Sequence, residues 1–172
     1  MRRPLPTSGR VLVSACLAGR PCAYDGSHRA HPEILKLVRE GRAVLVCPEE
    51  EGGLPTPRPA AEIEGGRGDR VLDGDARVVT DAGDDVTQVY LDGARVAVDR
   101  ADQEQCSAAI LKARSPACGC AGVYDGTFSR TLQGGDGVTA AALRRAGIEL
   151  WTEEELPSPD LTDSSRDQHE EV

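Results

Sequence analysis

Val11-Leu12-Val13-Ser14-Ala15-Cys16 and Ala43-Val44-Leu45-Val46-Cys47, separated by a segment that opens at His31-Pro32, form the stretch on which the fold turns. Each apolar run is short, rich in β-branched residues and ends at a Gly- or Pro-containing loop, which is the pattern of a buried strand. Between them Ile34, Leu35, Leu37 and Val38 recur at near-helical spacing, and Gly41 stands where a helix C-terminal cap belongs. Such a β-α-β unit closes by a right-handed parallel crossover. Further along, Ala108-Ala109-Ile110-Leu111-Lys112-Ala113 is a third apolar run. Asp85 to about Gln105 and Val138 to Ala146 read as helices, and Ile148-Glu149-Leu150-Trp151 as a last strand. The alternation predicts an α/β protein: a single domain with a Rossmann-like, largely parallel sheet flanked by helices. A small hairpin insertion is expected at Val71–Val79, turning at Asp73-Gly74. The Gly- and Pro-rich stretch from Gly52 to Asp69 reads as a long loop overhanging a site.

Composition agrees. Hydrophobic residues make up 39% of the 172, but aromatics only 3%, so the core must be aliphatic, as suits a sheet buried on both faces. Lys and Arg number 20 against 29 Asp and Glu, a balance of -9 that disfavours nucleic acid as a partner. Much of that charge lies at the end, where residues 153–172 carry eight acids and one Arg. The expected division is a flexible N-terminus at 1–10, a folded body at 11–152 and an acidic, mostly disordered tail at 153–172, with about the last fifteen residues disordered. No apolar run reaches signal-peptide or membrane-spanning length, so a cytoplasmic protein without membrane contact is expected.

Six cysteines then need a purpose other than disulfides, and metal binding or catalysis is the expectation in a reducing compartment. Cys16, Cys47 and Cys118 each sit at or just beyond the end of an apolar strand candidate. The carboxyl ends of parallel strands share one edge of a sheet, so these thiols should converge. Thiolates select zinc, copper(I) or iron–sulfur clusters, and three of them without a nearby His leave one metal position free. Paired Cys-x-x-Cys knuckles of zinc fingers are absent, which also removes a thioredoxin-like redox pair. The zinc deaminase signature is missing too. Gly52-Gly53 with Arg58 could form an anion site, but no Gly-x-Gly-x-x-Gly follows a strand. Cys47-Pro48-Glu49 places a carboxylate two residues beyond one thiol, fit for a general acid or base, and Ser115-Pro116-Ala117-Cys118 places a hydroxyl three residues before another.

Three groups of segments occur in this order: Val13 to Gly19 with Cys22-Ala23-Tyr24-Asp25-Gly26, Cys47-Pro48-Glu49 with Gly52 to Arg58, and Leu111 to Gly119 with Tyr124-Asp125-Gly126-Thr127-Phe128. In them the chain resembles the domain of unknown function family 523, to which the bacterial thiouracil desulfurases belong. The resemblance implies a [4Fe-4S] cluster held by Cys16, Cys47 and Cys118 with one iron open. It also implies non-redox replacement of the sulfur of a thiolated pyrimidine by water, assisted by Glu49 and Ser115. The partner is then a small-molecule thiolated base, and nothing in the sequence speaks to oligomeric state. The alternative is a non-catalytic iron–sulfur or zinc module with a structural or sensor role. Cys120 departs from the family pattern, Cys22 is a spare ligand candidate, and Cys106 reads as packing.

Overall fold

The computed structural model describes residues 3–157. In chain order its elements begin with β1 (Val11–Ser14), α1 (Pro32–Arg39), β2 (Ala43–Val46), α2 (Pro48–Glu51), β3 (Ala61–Glu64), α3 (Gly68–Leu72) and β4 (Arg77–Thr80). They continue with α4 (Thr87–Gln103), β5 (Ala108–Leu111), β6 (Val123–Tyr124), β7 (Leu132–Gln133), α5 (Val138–Arg145) and β8 (Glu149–Thr152). The main sheet has the order β2-β1-β5-β8 and every pair in it is parallel.

β1 and β5 are central and buried along their whole length. Alternate side chains of a strand face opposite sides, and here they feed two cores. Leu12, Ala109 and Leu111 pack with residues of α4 and α5 such as Ala94, Ala97, Val138 and Leu143. Val11, Val13 and Ile110 pack on the other face with Ile34 and Leu37 of α1. The aliphatic, two-sided burial expected from composition is what the sheet has, and the α/β reading holds.

Four local expectations are corrected. The hairpin expected at residues 71–79 is instead an antiparallel pair of β3 and β4, with Ile63 opposite Val78, and α3 lies in the connection. Asp73 caps α3 and Gly74 follows at φ 84°. An Asp-Gly pair satisfies the left-handed residue after a helix as readily as a hairpin turn, so the local signal is the same for both. The long loop from Gly52 accordingly contains a strand.

The expected flexible start is, from Arg3, laid on the body. Arg3 lies 4.1 Å from the Trp151 ring centroid and donates to Leu150 O at 3.1 Å, while Arg42 donates to Pro6 O and Gly9 O at 2.7 and 2.9 Å. At the other end the body does not stop at residue 152. Glu153–Glu155 form a 3-10 turn with a reciprocal capping box to Thr152, and Leu156, 2% exposed, joins the core of Trp151. The stretch expected to be disordered, 158–172, lies outside the described residues. Among the described residues no helix is long and apolar enough to cross a membrane.

Candidate active site

The strand order places β1 and β5 side by side at the centre, with the chain leaving β1 toward β2 and leaving β5 toward β8. A crevice opens outside the carboxyl ends of strands at such a switch point. Here it is a cleft of about 350 Å³. All five residues singled out in the sequence, Cys16, Cys47, Cys118, Glu49 and Ser115, line it.

Each is delivered by the element that ends a strand. Cys16 sits in a 3-10 turn, Ala15–Ala18, directly after β1, closed by Gly19 in the left-handed region at φ 94°. Cys47 is the N-cap of α2, and Pro48 occupies the first helical position, where its missing N–H costs nothing. The Cys47 N–H donates to Glu51 Oε2 at 3.1 Å, and Glu51 accepts in turn from Arg100 of α4 at 2.7 Å. Beyond β5 the chain turns at Arg114, a non-glycine residue at φ 65°. Ser115 Oγ then accepts the N–H groups of Ala117 and Cys118 at 3.2 and 3.1 Å, which sets the cysteine and leaves the hydroxyl proton free to donate.

α2 lies close on α4, and glycine makes the approach possible. A Cβ on Gly93 would stand 2.0 Å from Pro48 O, and one on Gly52 2.2 Å from Val89 O. This contact sets Glu49 beside Tyr90, which is 3% exposed and has its phenol near the carboxylate. Burial, then Glu49, pushes the Tyr90 phenol well above its usual range, so it remains a donor. Arg58 Nε donates to Glu49 Oε2 at 2.6 Å, Nη2 completes the ion pair, and both residues are nearly buried, at 8% and 9% exposure. Burial works against the Arg58 charge, yet Glu49 holds it above its usual range. Arg58 also donates to Cys22 O at 2.8 Å and to Thr56 Oγ1 at 2.8 Å. The weighed anion site at Arg58 is therefore occupied by the protein's own carboxylate.

The thiols are free and, at this edge, deeply placed. Cys22 lies with them: its sulfur, the Cys47 sulfur and a Glu50 oxygen are all within 4.8 Å of one another. Its neighbour Cys16 raises Cys22 to about 11, with Cys47 opposing. Cys22 and then burial push Cys47 far above the usual thiol range, and burial does the same to Cys118. Uncompensated thiolates are thus disfavoured here, and a soft cation or cluster is the partner that makes them favourable. The thiols of Cys16, Cys47 and Cys118 line one cleft without histidine, a donor chemistry suited to an iron–sulfur cluster, although the tight group of ligand atoms among the described residues is Cys22, Cys47 and Glu50. Cys120 is turned elsewhere, its sulfur 3.6 Å from Cys118 O and 4.0 Å from Trp151 O, and burial raises it to about 12. Cys106 is buried outside the cleft.

Two residues of the cleft escaped the sequence reading, Tyr90 and Glu62. Tyr90 reads as one apolar position of a helix and Glu62 as one acid in a loop, and neither carries a local signal.

An α/β domain that gathers thiols at the carboxyl edge of its parallel sheet belongs to the metal- or cluster-binding class. A family model described as 2-thiouracil desulfurase matches residues 11–155, and the chain belongs to that family. It is 50% identical over 146 residues to "Uncharacterized protein YbbK" of Bacillus subtilis (strain 168), covering 85% of this chain and 97% of that one. Among solved structures it matches [4Fe-4S]-dependent thiouracil desulfidase TudS at 40% identity and a TM-score of 0.77. That match covers 87% of this chain and 94% of the other.

Proposed function

We propose that this protein is a [4Fe-4S]-dependent desulfurase that converts a thiolated pyrimidine, thiouracil, and water to uracil and sulfide. The observation that carries this reading is the meeting of three cysteines, a buried carboxylate and a hydroxyl in one cleft. Cys16, Cys47 and Cys118 would hold the cluster, which supplies a sulfur-seeking iron that makes the ring sulfur a better leaving group.

The chain's own groups do the rest. Glu49 accepts a proton from the water that attacks the ring carbon, and Arg58 with Tyr90 keeps the carboxylate aimed as it does so. Ser115, its oxygen engaged by two backbone N–H groups, donates a hydrogen bond that orients the ring or the water, and the water's protons leave with the sulfide. The carbon gains the water oxygen and loses sulfide, and no electrons are exchanged with the protein. A closed structural metal site would need neither a buried ion pair beside its ligands nor an open cleft, which favours the enzyme over a structural or sensor module.

Free cysteines and an acidic surface charge suit a reducing, cytoplasmic setting and a free base rather than a nucleic acid. Anaerobic purification should yield a brown protein with about four irons per chain that releases sulfide from thiouracil. A cluster-loaded protein without sulfide release would defeat the enzymatic reading.

A further inference from the structure

Two four-residue segments repeat one pattern at the cleft. Tyr24-Asp25-Gly26-Ser27 and Tyr124-Asp125-Gly126-Thr127 lie on separate loops, one after β1 and one beginning in β6. In each the Asp Oδ1 accepts both the backbone N–H and the hydroxyl of the residue two positions on, at 3.0 and 2.6 Å in both loops. In each the glycine is left-handed, at φ 80° and 90°. Both tyrosines line the cleft.

A single stretch, Arg58 to Glu62, ties the two loops down from within the cleft. The Arg58 N–H donates to Tyr24 O at 2.8 Å, and its guanidinium holds Cys22 O. Glu62, 9% exposed, accepts the N–H groups of Gly126 and Phe128 at 3.1 and 3.2 Å. The loops are therefore set by buried charged groups and are not free to drift.

The chain has five aromatic residues, and three of them, Tyr24, Tyr90 and Tyr124, line this one cleft. Tyr90 is core, but Tyr24 is 50% exposed, and burial gives no reason for an aromatic ring there. An aromatic face at a cleft mouth is suited to one ligand class, a flat ring that stacks on it.

We infer that Tyr24 and Tyr124 are the substrate's ring-binding residues, a pair of aromatic walls that hold a planar six-membered heterocycle with its sulfur directed toward the cysteines. The inference rests on the proposed desulfurase reading and adds to it the residues that select a ring. The tyrosines act by stacking, so they set affinity and leave the chemical step to Glu49 and its neighbours.

The test uses the cluster-loaded protein and two ligands. KM for thiouracil reports productive binding. Competitive inhibition by uracil, which has the ring and no sulfur, reports ring contacts alone. Tyr24→Ala and Tyr124→Ala should each raise both constants roughly 5- to 150-fold, the span of base–aromatic stacking, with kcat within about twofold. Iron and sulfide content should stay at the wild-type level, and Tyr24→Phe and Tyr124→Phe should restore both constants, since the ring face is kept. Unchanged uracil inhibition in both alanine variants would overturn the assignment, as would phenylalanine variants as impaired as the alanine ones. If the wild-type protein released no sulfide from thiouracil, the desulfurase reading would fall. Equilibrium dialysis of uracil against the same variants would then still decide the aromatic walls.

Discussion

Two corners of the cleft carry the same pair of parts, a cysteine and a polar partner, and are built by opposite means. At the first, Cys47 and Glu49 sit on α2, pressed against α4 through Gly52 and Gly93, with the Glu49 charge met by Arg58 away from water. At the second, Ser115 and Cys118 sit on a loop steadied by the turn after β8. There Glu153 accepts from Lys112 Nζ at 2.6 Å and from the Ala113 N–H at 2.8 Å, and Arg114 pairs with Glu154. The first corner is desolvated and rigid, whereas the second leans on partly exposed ion pairs, which are individually weak. Chemistry that needs a carboxylate held to a fraction of an ångström belongs at the first, and a hydroxyl that only orients a ligand tolerates the second.

The largest expected effect tests that division of labour. Glu49→Gln should keep wild-type iron content and lose ~10²–10⁴ in sulfide-release rate, the range of general acid–base assistance. Ser115→Ala should lose much less. Equal losses in the two variants, measured with iron content on the same samples, would break the comparison.

Next comes the buried pair. Arg58→Met leaves the Glu49 carboxylate without its counter-charge, and removing one partner of a buried pair costs about 3–5 kcal/mol. Urea unfolding should show that loss, and adding Glu49→Gln to the same chain should recover a good part of it, because the stranded charge is then gone. A double variant no more stable than Arg58→Met would mean that Arg58 acts by packing alone.

The helix contact is expected to be worth somewhat less. Gly93→Ala puts a methyl into Pro48 O, and overpacking of this kind costs about 1–3 kcal/mol. Because α2 must shift, turnover should fall with stability. An unchanged rate in a destabilised protein would show that Glu49 does not depend on this contact.

The smallest effect belongs to the second corner. Glu153→Gln weakens the hydrogen bonds to Lys112 and to the Ala113 N–H, and because the Lys112 and Glu153 side chains are only partly buried it should cost about 1 kcal/mol in urea unfolding with a modest change in rate. A loss as large as that of Arg58→Met would make the two corners equivalent.

Truncation before Leu156 ought by the same logic to be felt. A chain cut after Pro157 should behave like the whole, while one cut at residue 152 removes the acidic turn from the Ser115 loop and Leu156 from the core of Trp151. Reading 153–172 from composition alone missed this, because three consecutive acids and a Pro look like solvated tail until their partners are in view.

What the sequence determined by itself is what short-range pattern can hold. The apolar runs at 11–16, 43–47 and 108–113 became parallel strands, since burial on both faces demands apolar residues whatever packs on them. Parallel strands share a carboxyl edge, so the placement of Cys16, Cys47 and Cys118 at their ends was enough to set all three along one cleft. Glu49 and Ser115 were legible because they are tied to two of those cysteines within a turn. The tertiary structure alone decided what surrounds them. Arg58 reaches Glu49 from the far end of a Gly- and Pro-rich loop, and Tyr90 reaches it from a helix laid on α2. Arg3 closes over Trp151, and Leu156 completes a core begun at Val11. A buried charge takes whichever partner the packed chain delivers, and that partner is chosen by the geometry of elements distant in sequence, which no local spacing encodes.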